Sequence, residues 1–193
     1  MRKILERFKK EGKLLIGASG AVNVVNLPGT ISFLKKNVCE NIKVILSNNA
    51  NRLVSKDSIS YITGNKTFSD YNDDLDFTAP HISLTNWADL FIILPASANI
   101  IGKMANGIAD DLLSTTILAA RCPIILYPNM NIGMWENKAL KRNVNRLIKD
   151  GYIIKYTQER ILEVGSGNYE KAITNSILEI PTDIREVLQT HME

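Results

Sequence analysis

The chain has 193 residues, 45% of them hydrophobic and 22% charged, with a formal net charge of +3. That length suits one domain, and the composition supplies an apolar core while excluding a disordered, fibrous or strongly basic nucleic-acid-binding chain. Two cysteines, Cys39 and Cys122, with no C-x-x-C pair, exclude a disulfide framework and a cysteine-rich metal module.

The opening RKILERFKKEGK alternates basic and apolar residues with two Glu, which predicts a short amphipathic helix over 2–10 rather than a nucleic-acid arm. The N-terminus lacks a signal-type apolar run, and no stretch approaches membrane-spanning length. Both observations point to a cytoplasmic, reducing setting. Five short runs rich in Ile, Leu and Val then read as strands: KLLIGA (13–18), IKVILS (42–47), LFIILP (90–95), PIILYP (123–128) and GYIIKY (151–156). Most are apolar on both faces, as parallel strands covered on two sides are. Helical patterns lie between and after them, at 22–36 (interrupted by Pro28 and Gly29), 52–62, 97–120, 137–149, 169–179 and 182–191. The polar, acidic stretch 63–80 reads as an exposed connection. Alternation of strand and helix predicts a three-layer α/β/α doubly wound parallel sheet, flavodoxin- or Rossmann-like, formed by one domain over 1–193.

Ligands of such sheets bind at the carboxyl ends of the strands. The residues that follow the strands are Ser19, Gly20 and Ala21; then Ser47, Asn48 and Asn49; then Ser97, Ala98 and Asn99; then Asn129, Met130 and Asn131. Three of these four edges offer a serine hydroxyl leading to a helix start, a pattern suited to phosphate. Each serine read alone is equally a plain helix cap. GASGAV is not the G-x-G-x-x-G fingerprint and no P-loop is present, so the ligand is neither a standard nicotinamide dinucleotide nor a P-loop nucleotide.

PASAN (95–99), YPNMNIGMWEN (127–137) and the lone histidine in APHISLTNWADL together resemble the homo-oligomeric flavin-containing cysteine decarboxylase family. The likeness runs from about Lys13 to Tyr169 and is greatest to the lantibiotic peptide decarboxylases of the epidermin and mersacidin type. It implies oxidation of a peptide's C-terminal cysteine at the thiol-bearing carbon, loss of CO₂ with the thioaldehyde as electron sink, and an aminoenethiol product destined for an aminovinyl-cysteine bridge. It also implies a bound flavin at a subunit interface, held by Ser19, Gly20, Ala21, Ser47, Asn49, Ala96, Ser97, Ala98, Asn99 and Met134. One phosphate suits the three-serine rim and favours FMN over FAD. His81 becomes the proton handler, since imidazole titrates near neutrality. Asn131 becomes a carboxylate clamp without a fixed charge that would hold CO₂ back. Gly165, Ser166 and Gly167, in a loop spanning about 157–171, become a substrate clamp, with Met134 also contacting substrate. Trp87 and Trp135 read as core or interface anchors, and neither cysteine as a nucleophile.

Partners implied by the resemblance are a precursor peptide ending in cysteine and further copies of the chain, as trimers that assemble up to dodecamers. Two rival expectations are a phosphopantothenoylcysteine decarboxylase and a flavin-binding regulatory protein without turnover. The phosphopantothenoylcysteine branch carries a cysteine in the clamp, and EVGSGNY (163–169) has none. Retention of His81 and Asn131 argues against the regulatory protein.

Overall fold

The computed structural model describes residues 2–71, 79–162 and 168–191. Its strands, in chain order, are β1 (Lys13–Ala18), β2 (Asn41–Leu46), β3 (Thr67–Phe68), β4 (Leu90–Ala96), β5 (Ile124–Pro128), β6 (Met130–Asn131), β7 (Ile153–Ile154), β8 (Thr157–Leu162) and β9 (Tyr169–Thr174). Its α-helices are α1 (Arg2–Glu11), α2 (Leu27–Asn37), α3 (Asn48–Asn51), α4 (Lys56–Thr63), α5 (Pro80–Trp87), α6 (Ala98–Ala105), α7 (Leu112–Ala119), α8 (Ile132–Glu136), α9 (Lys138–Lys149) and α10 (Ile180–His191). A parallel six-stranded sheet runs in the order β3-β2-β1-β4-β5-β7, and a small antiparallel sheet runs β6-β9-β8. This is the expected doubly wound α/β fold.

The sheet is buried on both sides because successive side chains of each strand point to opposite faces. Leu14, Ile16, Ile92 and Ile125 enter one apolar cluster with α2 and α10. Leu15, Phe91, Ile93 and Leu126 enter the other, with α6, α7 and α9. Leu15 and Ile16 are wholly buried, each contributing roughly 2 kcal/mol relative to exposure.

Five departures from the sequence pattern are evident. Helix 22–36 is a 3-10 turn over Val22–Asn26 followed by α2, with proline in the first turn of α2, where its missing N–H costs nothing. Helix 97–120 is two helices. Gly107 takes a φ of 64° beyond the end of α6, and Asp111 starts α7 by accepting from the Ser114 backbone N–H at 2.7 Å while Ser114 Oγ accepts from the Asp111 N–H at 3.1 Å. His81, expected before a turn, lies in the first turn of α5, which opens on Pro80. The helix expected over 169–179 is instead β9, because Ile173 pairs with Met130 and both join the core. The segment 157–171, expected as a loop, carries β8 and part of β9. Gly165, Ser166 and Gly167 lie outside the described residues.

The start of α7 is also an electrostatic junction. Lys103 Nζ lies 2.6 Å from Asp110 and 2.7 Å from Asp111. Burial opposes ionisation of Asp111, but the Lys103 ammonium and the Ser114 donors outweigh it and hold the carboxyl below its ordinary value. A carboxyl depressed in the folded state stabilises above its unfolded pKa and loses that contribution as pH falls. Asp111→Ala is therefore expected to cost about 1 kcal/mol at neutral pH, measured by urea unfolding, with the difference from wild type shrinking as the pH drops below the ordinary carboxyl range. A pH-independent difference would show that the charge plays no part.

Candidate active site

The strand order reverses between β1 and β4, so the turns that leave these strands diverge and open a crevice at the sheet's carboxyl edge. Ser19 holds the two turns together. Its hydroxyl donates to the Pro95 carbonyl at 2.8 Å and accepts from the Ser97 N–H at 2.7 Å, while its own N–H donates to the same Pro95 carbonyl at 3.1 Å. Gly20 follows, and a Cβ there would collide with the Asn49 side chain, so only glycine lets the β1 turn approach the start of α3.

Beside this junction lies a cavity of about 400 Å³. Gly20, Ala21 and Val22 form one wall, and Ser97 and Ala98 another. Asn129, Met130, Asn131 and Met134 form a third, and Ile161, Glu170, Lys171 and Ala172 of the small sheet close it. Asn129 ties the walls together: its N–H donates to Ala96 at 3.0 Å, its Oδ1 accepts from Asn23 N–H at 3.4 Å, and its Nδ2 donates to Ile173 at 3.4 Å. Asn131 caps α8, its Oδ1 accepting from the Met134 N–H at 2.8 Å. That bond consumes the amide oxygen and leaves the Nδ2 donors uncommitted among the described residues.

Of the residues expected to hold a cofactor, Gly20, Ala21, Ser97, Ala98 and Met134 line the cavity, together with the substrate candidate Asn131. Ser19, Ser47, Asn49, Ala96 and Asn99 do not. Ser19 is only 2% exposed and its hydroxyl is spent on the main chain. Ala96 is fully buried in β4. Ser47 caps α3, accepting from Ala50 N–H at 3.3 Å. The cavity residues that the strand-end reading passed over come chiefly from β8 and β9. Neither TQERIL nor YEKAIT alternates polar and apolar residues, so no period-two signal marked them in the sequence.

His81 is not at the cavity. It sits on α5, which packs against α7, with its ring edge-on to Tyr71 at 6.1 Å between centroids. Its Nδ1 is buried without a hydrogen-bond partner among the described residues. Burial pushes the Cys39 and Cys122 thiols up to about 11, which keeps them protonated and unreactive at neutral pH. Among the described residues, no group of three His, Cys, Asp or Glu side chains is placed to hold a metal ion, and no helix is long and apolar enough to cross a membrane.

The donor set fits a flavin. The first-turn N–H of Ala98, in the cavity wall, has no intrahelical acceptor. Small side chains at 20, 21, 98 and 172 permit close approach, and the Met130, Met134 and Ile161 side chains supply polarizable and apolar contact. The chain belongs to the Flavoprotein family, whose model matches residues 2–186. It is 34% identical over 165 residues to the epidermin decarboxylase of Staphylococcus epidermidis, covering 84% of this chain and 88% of that one. It is also 41% identical over 135 residues to the coenzyme A biosynthesis bifunctional protein CoaBC of Bacillus subtilis, where the match takes in 68% of this chain but only 33% of that protein. Among solved structures, SpaF, an FMN-dependent cysteine decarboxylase, superposes with a TM-score of 0.78 at 33% identity over 92% of this chain and 97% of SpaF. A variant of EpiD in complex with the substrate peptide DSYTC gives a TM-score of 0.78 at 30% identity, over 94% of this chain and 99% of EpiD.

Ser19→Ala is expected to leave the Ser97 N–H without its acceptor, costing about 1–3 kcal/mol, and to release flavin more readily than wild type. Urea unfolding and equilibrium dialysis of flavin measure the two effects. Unchanged values in both would show that the bridge does not shape the cavity.

Proposed function

We propose that this protein is an FMN-dependent enzyme that oxidatively decarboxylates the C-terminal cysteine of a precursor peptide in lantibiotic-type biosynthesis, in the cytoplasm, as a homo-oligomer built on trimers. The observation that carries the reading is Asn131. Its oxygen is locked by the α8 cap while its nitrogen is left to donate at the rim of a family-type flavin cavity. A neutral amide binds a carboxylate yet does not hold it back as it becomes CO₂.

The flavin, when bound, supplies the two-electron oxidation that no side chain here can perform. The chain's own residues then have three tasks. Asn131 orients the substrate carboxylate. Met134 and Ile161 shield the reacting cysteine from water. His81 accepts the thiol proton as hydride leaves the adjacent carbon, and the bond to the carboxylate breaks afterwards. Because His81 does not line the cavity of its own chain, a second copy of the chain has to bring it there. The helix-start amide of Ala98 beside Ser97 in the cavity wall suits one phosphate, which supports FMN. The clamp stretch 163–169 has no cysteine, so electrons are not returned to substrate and the enethiol is released.

A peptide ending in cysteine should therefore lose CO₂ and two hydrogens together, about 46 Da, with the bound flavin absorbance bleaching about once per product without oxygen. Loss of CO₂ alone would overturn the oxidative assignment in favour of a phosphopantothenoylcysteine-type reaction. His81→Asn and Asn131→Asp are expected to keep flavin and assembly while lowering kcat by at least about 100-fold. Full turnover in either variant would remove that residue from the mechanism.

A further inference from the structure

The hairpin that closes the cavity carries its charges on separate faces. In the register Ile161↔Glu170 and Glu159↔Ala172, with Asn131↔Ala172 across β6, these five side chains share one face, and four of them line the cavity. Arg160 and Lys171 stand opposite each other, so by the strand period they occupy the other face, although Lys171 also borders the cavity along β9. Arg160 is turned to the Tyr169 carbonyl at 3.1 Å. The cavity-side face is thus acidic. Glu170 is exposed and has no ion-pair partner among the described residues, and Glu159 meets only the Thr157 hydroxyl at 3.3 Å.

Resting on the peptide-decarboxylase reading above, we infer that Glu170, backed by Glu159, selects peptides with a cationic side chain two residues before the terminal cysteine. Ala172 lies beside Asn131, and Glu170 is two residues further along the same face, about 6.6 Å at the strand rise. An extended peptide whose carboxylate meets Asn131 repeats at the same interval. Its residue two before the cysteine therefore arrives at Glu170, with Ile161 packing against the stem of a lysine or arginine. β6 pairs with β9 only at Ala172 and Ile173, so beyond Ala172 that edge of β9 has no strand partner among the described residues, and an extended peptide running along it is read by the side chains of the same face. A substrate carrying a phosphate at this distance meets the carboxylates and is disfavoured.

The test uses five-residue peptides ending in cysteine, with Lys, Gln or Glu at the third position from the end, on the flavin-loaded protein. Turnover is measured by mass and binding by calorimetry. The expected order of kcat/KM and of affinity is Lys over Gln over Glu, with about tenfold between the extremes, narrowing in high salt. Glu170→Lys should invert the order, whereas Lys171→Gln should retain it. Turnover of all three peptides at equal rates, or an order unchanged by Glu170→Lys, would overturn the inference and leave the decarboxylase reading standing. Absence of binding and turnover with every peptide would remove both.

Discussion

The Ser19 hydroxyl is the contact on which the geometry of the site depends. One oxygen donates to Pro95 and accepts from Ser97, so it binds the end of β1 to the turn leaving β4 at the point where the two chain paths part. A parallel sheet covered on both faces forces this arrangement. Its strands are buried along their length, and the carboxyl edge is where main-chain groups emerge without partners. Ser19 satisfies one of those groups and leaves the amides at the start of α6 for a ligand. Gly20 then keeps the junction thin enough for α3 to close against it.

The small antiparallel sheet turns an open edge into an enclosed cavity. β6 emerges from the end of β5 after one residue and pairs with β9, so the block containing Asn129, Met130 and Asn131 is bonded to the last part of the chain. Burial of Met130 and Ile173 in the main core anchors that sheet. Its outer part, with Glu170 and Ile161, remains accessible. The same element thus has a fixed base in the core and an exposed outer face beside the cavity.

His81 and Asn131 show how far one chain goes. Asn131 is fixed by the cap of a short helix within the cavity wall, a local device that needs nothing beyond residues 131–134. His81 lies on α5 and does not line the cavity, with its Nδ1 buried and without a partner among the described residues. The proposed site that joins the two therefore rests on a second copy of the chain.

Much was legible in the residues alone. Four apolar runs announced buried parallel strands and a fifth a short, half-buried one, and the blocks PASAN and PNMNIGMW announced the family, because those signals are local and dense. Composition and cysteine placement were equally direct, and burial of both thiols agrees with them. Tertiary structure decided what depended on partners distant in sequence. Residues 169–174 have no preference strong enough to resist pairing, so the meeting of Ile173 with Met130 makes them a strand. Of the three edge serines, only Ser97 reaches the cavity, since a hydroxyl's role is set by which unsatisfied main-chain group lies nearest, and for Ser19 that group belongs to a residue 78 positions away.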